Sequence, residues 1–124
     1  MIVDPGKMEW VTLDPLGRTV SLPSALADAR ESVGKHRDDE YLSRDQARVV
    51  VESPDRIDIS SSDPRRDVYY RTRGELERGP YERVVVQFEN ESTGTAISWS
   101  VYDKPVGSSG VRYWKGGVPW RFIG

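Results

Sequence analysis

Between Asp67 and Asp103 the chain reads DVYYRTRGELERGPYERVVVQFENESTGTAISWSVYD, three alternating segments separated by glycine-containing turns. Alternation of this kind admits few folds, because it specifies half-buried strands joined as an antiparallel meander. In the first segment Val68, Tyr70 and Thr72 share one side, and Tyr69, Arg71 and Arg73 the other. In the second, Val84, Val86 and Phe88 oppose Arg83, Val85, Gln87 and Glu89. In the third, Thr95, Ile97, Trp99 and Val101 oppose Ala96, Ser98, Ser100 and Tyr102. Successive side chains point to opposite faces of a sheet. One face is therefore expected to gather the aliphatics and Trp99, and the other Tyr69, Arg71, Arg83, Ser98 and Tyr102.

The segments before the meander read as a hairpin and two helices. Residues 8–13 and 18–22 alternate around Asp14-Pro15-Leu16-Gly17, a turn sequence that sets Trp10 beside Val20 and Leu22. Pro23 fits the first turn of a helix. Leu26, Ala29 and Val33 recur at helical spacing and Gly34 suits a C-cap, so a helix is expected over Pro23–Val33. The charged connection KHRDDE (35–40) holds the single histidine, His36. Ser43 and Gln46 then stand at capping-box spacing and Leu42 and Ala47 at staple spacing. Ala47, Val50 and Val51 supply an apolar stripe, and Ser53-Pro54-Asp55 ends this second helix.

Ile57 and Ile59 alternate with polar neighbours as a short strand, and Val111 and Tyr113 as a last one. The tail 116–124 carries Trp120 and Phe122 and is expected to pack back onto the domain. The expected architecture is α+β. An N-terminal hairpin and two helices pack on one face of a twisted antiparallel sheet of four to five strands. All of residues 1–124 form one domain, with hairpin and helices over 8–53, sheet over 56–115 and tail over 116–124. The sheet face away from the helices is left for loops, a partner or a ligand.

Composition narrows the chemistry. The net charge is −2, and no acidic residue follows Asp103 whereas Lys104, Arg112, Lys115 and Arg121 do. Generic charge-driven nucleic-acid binding is disfavoured by that balance, although a modest basic face toward the C-terminus remains. The chain has no cysteine, no apolar opening segment and no bilayer-length apolar run, which points to a soluble, cytoplasmic protein without a membrane partner. One histidine and no cysteine leave no convincing metal site, and Asp38-Asp39-Glu40 lacks the spacing of a calcium loop. No cofactor is implied. Neither a glycine-rich phosphate loop nor a G-x-S-x-G elbow occurs. What remains is His36 as a general base, Arg71 as a phosphate clamp, and Ser98 or Tyr102 to orient the same group. Tyr69 is the candidate for stacking on a base.

The order of these pieces resembles the phage- and polymorphic-toxin-associated branch of the barnase–colicin–RelE-like (BECR) ribonuclease superfamily. The matching elements are Trp10, Gly17-Arg18-Thr19-Val20, His36 within GKHRDD, and Pro54-Asp55-Arg56-Ile57. They continue with Tyr69-Tyr70-Arg71, Val84-Val85-Val86 and Ile97-Ser98-Trp99, spanning roughly residues 8–115. The resemblance implies a metal-independent endoribonuclease binding RNA phosphate on the exposed sheet face. His36 would be the base, Arg71 the clamp and Ser98 the hydroxyl residue, with Tyr69, Tyr70, Arg83 and Tyr102 binding substrate. It also implies a cognate immunity or antitoxin protein. The chain departs from the family pattern at His36-Arg37-Asp38 and at Ser98-Trp99. The alternative is a catalytically inactive interaction module of the same fold, anchored by Trp114, Trp120 and nearby arginines. A third reading is nucleic-acid binding without cleavage.

Overall fold

A computed structural model describes residues 2–4, 9–23, 42–75, 79–102 and 108–115. Its strands are β1 (Ile2–Asp4), β2 (Glu9–Leu13), β3 (Thr19–Leu22), β4 (Arg56–Ser60), β5 (Arg66–Glu75), β6 (Gly79–Phe88), β7 (Thr93–Tyr102) and β8 (Ser108–Trp114). They form one eight-stranded sheet in the order β1-β2-β3-β7-β6-β5-β4-β8. Every neighbouring pair is antiparallel except β3 and β7, where Thr19–Ser21 run parallel to Thr93–Thr95.

This corrects the expected architecture. The sheet is larger than four or five strands and is mixed, and one helix, α1 (Arg44–Glu52), is present among the described residues. Of the expected helix over Pro23–Val33, residues 24–33 lie outside the described residues, as does the tail 116–124. The physical reason for the larger sheet is the N-terminal hairpin. Alternation correctly marks β2 and β3 as strands, but they extend the sheet instead of packing on it. Along Thr93–Thr95 the edge of β7 would otherwise present unpaired N–H and C=O groups, and β3 pairs with it there.

Helix α1 starts as its sequence directs. The Ser43 hydroxyl accepts from the Gln46 N–H at 3.1 Å, and the Gln46 side-chain oxygen accepts from the Ser43 N–H at 2.8 Å. Its apolar stripe, Ala47, Val50 and Val51, joins Leu42 against Val20, Leu22, Val84, Val86 and Trp99. The Thr12 hydroxyl donates to the Glu52 carboxylate and ties β2 to the end of the helix.

The register decides which residues share a face, and here the structure departs from simple alternation. Tyr69 stands opposite Val84, which stands opposite Trp99, so Tyr69 belongs to the helix-side core. Arg71 lies opposite Glu82 on that same face. Between Ala96 and Ser98 the pairing with β6 shifts by one residue. This bulge leaves Ile97 over, exposed, and lets Ala96 and Trp99 both reach the core. The other face carries Val68, Tyr70, Arg83, Val85, Ser98 and Ser100. It is not the open wall expected from the sequence: Val68, Tyr70, Tyr81, Arg83, Val85 and Ser100 are all buried. Tyr70 and Tyr81 meet edge to face at 5.8 Å. Arg56 and Asp58 form a buried ion pair on this face, yet burial holds the Asp58 carboxyl above the usual carboxylate range despite Arg56.

Where β7 leaves the β6–β7 turn, the packing requires glycine. A Cβ on Gly94 would lie 2.7 Å from Val86 Cγ1 and 2.8 and 2.9 Å from Phe88 Cδ1 and Cε1. Gly94→Ala is therefore expected to lower stability by about 1–2 kcal/mol. The urea midpoint should fall at unchanged slope; an unchanged midpoint would mean that Phe88 turns aside without cost.

Candidate functional site

The turn between β2 and β3 is built by Asp14. Its Oδ1 accepts the N–H groups of Leu16 and Arg18, both at 2.9 Å, while Gly17 takes a φ of 80° that other residues rarely adopt. Its Oδ2 accepts from Arg18 Nε at 2.8 Å and from the Tyr69 hydroxyl at 2.6 Å. Arg18 reaches onward to Asp67 Oδ2 at 2.8 Å, donates to the Tyr69 oxygen at 3.0 Å, and lies over the Phe88 ring at 4.1 Å. Arg112, from the far edge of the sheet, holds the same Asp67 bidentately at 2.6 and 3.2 Å. Asp14, Arg18, Tyr69, Asp67 and Arg112 thus form a continuous network across the helix-side face.

The network fixes protonation as well as geometry. Burial first, and then the charge of Asp14, push the Tyr69 hydroxyl far above the ordinary phenol range, so it acts as a neutral donor. Burial pulls the Arg18 guanidinium down, but the Asp14 and Asp67 carboxylates beside it favour the charged form, and it stays above its usual value.

This network floors a cleft of about 620 Å³. Arg18, Asp67 and Phe88 form the base. Leu16 of the hairpin, 45% exposed, forms one rim. Glu89, Asn90 and Glu91 of the β6–β7 turn, Pro64 and Arg65 of the β4–β5 loop, and Arg112 of β8 complete it. The loops are braced locally. Asn90 Oδ1 accepts both the N–H and the hydroxyl of Ser92. Asp63 accepts from the Arg65 N–H at 2.9 Å and from Gln87 at 3.2 Å, and these bonds, that of Arg65 foremost, hold its carboxyl below the usual range.

The residues singled out from the sequence do not meet at one point. Arg71 lies on the helix-side face and Ser98 on the other, so the sheet itself separates them. Tyr69 is fully buried and committed to Asp14 and Arg18, which leaves no ring face for a base. Tyr70, Arg83 and Ser98 do share a face, with Tyr70 directly opposite Arg83. Tyr102 pairs with Tyr81 in the ladder, its side chain lying outside the described residues, as does the whole of His36. Asp14 of the network and the cleft residues Arg18, Asp67, Glu89 and Arg112 were not singled out for chemistry. The one available signal was the Asp14–Gly17 turn feeding Arg18 toward the strand of Tyr69. The approach of β8 to Asp67 leaves no local trace.

No protein-family model, curated protein or solved structure matches this chain. Among the described residues no cluster of His, Cys, Asp or Glu could hold a metal ion, and no helix is long and apolar enough to cross a membrane.

Proposed function

We propose that this chain is an interaction module that does not cleave RNA, and that the cleft above Asp67 is where its partner docks. The observation that carries this reading is the balance of charge at the rim, which exposed Arg65 and the one-third-exposed Arg112 share with exposed Glu89 and Glu91. RNA binding draws its affinity from neutralising successive phosphates and needs an excess of cations. Here the rim cations and anions are equal in number, Arg18 is occupied by Asp14 and Asp67, and the whole chain carries −2. Mixed charges around an exposed leucine instead match the rim of a protein interface, where complementary pairs set register and exclude wrong partners. The likeness to ribonuclease toxins is then one of descent.

RNA cleavage is the competing activity, and it is directly measurable. The purified chain is expected to leave mixed RNA intact in EDTA at neutral pH, as are His36→Ala and Arg71→Ala. Cleavage by the unaltered chain that either variant abolishes would overturn the proposal. So would RNA binding that weakens steeply with salt and is lost in Arg65→Ala/Arg112→Ala.

A further inference from the structure

Three loops meet at the end of the sheet that carries the cleft, and backbone hydrogen bonds tie them to one another. The Phe88 N–H donates to the Arg65 carbonyl at 2.8 Å, which sets the β4–β5 loop beside the strand end leading into Glu89. The Thr19 N–H donates to the Ser92 carbonyl at 2.8 Å and holds the β2–β3 hairpin against the β6–β7 turn. That turn is closed by the Glu89 N–H on the Thr93 carbonyl at 2.9 Å. The patch is therefore built before any partner arrives, and docking orders little of it. Along this seam Arg65 lies beside Glu89, both exposed. Pro15, Leu16 and Gly17 are exposed too, so a hairpin tip stands out at the rim of the recess.

We infer that the partner docking at this cleft is a second copy of the same chain, related by a two-fold axis that runs between Arg65 and Glu89. This rests on the reading of the cleft as a protein-docking site. A two-fold interface uses one patch on both sides, so any contact of residue i with residue j is repeated by j with i. Such a patch has to be its own complement. Arg65 and Glu89 stand side by side, so half a turn about an axis between them lays each on its opposite in the other copy. Two reciprocal ion pairs result. A patch of one sign would repel its own copy and require a partner of the other sign. This rim holds two cations, Arg65 and Arg112, and two anions, Glu89 and Glu91. The net charge of −2 adds only weak repulsion between copies. Leu16, 45% exposed, supplies the apolar contact twice over, each copy's leucine leaving water as the dimer closes. One cleft of about 620 Å³ and three loop tips make a small interface, so the dimer is expected to be weak and reversible.

The test measures self-association of the full chain by sedimentation velocity and light scattering from micromolar to millimolar concentration. A monomer–dimer equilibrium is expected, weakened at least about tenfold by Leu16→Asp. Two charge reversals then isolate the pairing, both at exposed positions outside the Asp67 network, with urea midpoints confirming that each variant is folded. Arg65→Glu alone sets glutamate against glutamate twice across the axis, and Glu89→Lys alone sets lysine against arginine twice. Each should dimerise at least about tenfold more weakly than the unaltered chain. Mixed in equal amounts they restore two opposite pairs, and association should return to within about threefold of the original. Folded variants whose mixture associates no better than either alone would overturn the two-fold pairing, as would a dimer that none of the three changes weakens. A chain that stays monomeric throughout would overturn the second copy and leave the docking site. RNA binding that depends on Arg65 and Arg112 would overturn both.

Discussion

Alanine in place of Asp67 is expected to cost about 3–5 kcal/mol of folding stability. The side chain is 1% exposed, and its two oxygens serve Arg18 from the hairpin and Arg112 from the sheet edge. Removing it strands Arg18, whose guanidinium is only 11% exposed and would keep Asp14 as its remaining carboxylate. The cost comes less from the lost attraction than from a buried cation left undercompensated. Arg112→Ala breaks one of the same ion pairs but at its exposed end, where solvent screening reduces the effect to about 0–1 kcal/mol. Asp67→Asn keeps the shape and one acceptor oxygen and should fall between the two. Urea unfolding of all three variants at neutral pH separates these outcomes. Equal losses in Asp67→Ala and Arg112→Ala would mean that burial of Arg18 is not what gives the network its weight. The penalty in Asp67→Ala should also persist at high salt, because buried pairs are screened far less than exposed ones.

The contrast between these residues shows what a linear reading of the chain reaches. Local rules located nearly every described strand, and the Ser43–Gln46 spacing marked the start of α1 because a capping box is completed within four consecutive residues. Faces were harder. Tyr69 and Arg71 were grouped with Arg83 and Ser98, but the register across the β5–β6 hairpin puts them on opposite sides, and a slip of one residue exchanges every side chain. The bulge at Ile97 did the same within β7, since alternation cannot reveal an inserted residue. The cleft was least legible of all. It depends on β3 lying beside β7 and on β8 crossing to β4, pairings between segments far apart in the chain. Asp67 looks like one more polar residue of an alternating strand until those two edges bring Arg18 and Arg112 to it.

Tyr69→Phe should separate the hydroxyl's role from that of the ring, and pH gives the variant a signature that lost packing cannot imitate. The ring stays in the core while the donor to Asp14 and the acceptor for Arg18 disappear. A hydrogen bond to a charged partner contributes about 1.5–3 kcal/mol, so the variant should be less stable by that amount at pH 8. An unfolded tyrosine loses its proton near pH 10. In the fold, burial and the Asp14 charge raise that value, and they outweigh Arg18, which favours the ionised form. The folded state therefore holds its proton where the unfolded state has released it. The stability due to this group is complete below about pH 10 and is lost as pH rises beyond it, by roughly 1.4 kcal/mol per pH unit. Tyr69→Phe lacks this term. The difference in stability between the two proteins should be constant up to about pH 10, then shrink and vanish within about two further units. Other tyrosines titrate in both proteins and cancel in that difference. A gap that stays constant through the alkaline range would mean that the Tyr69 hydroxyl ionises as easily in the fold as outside it, and Asp14 would then not be its partner.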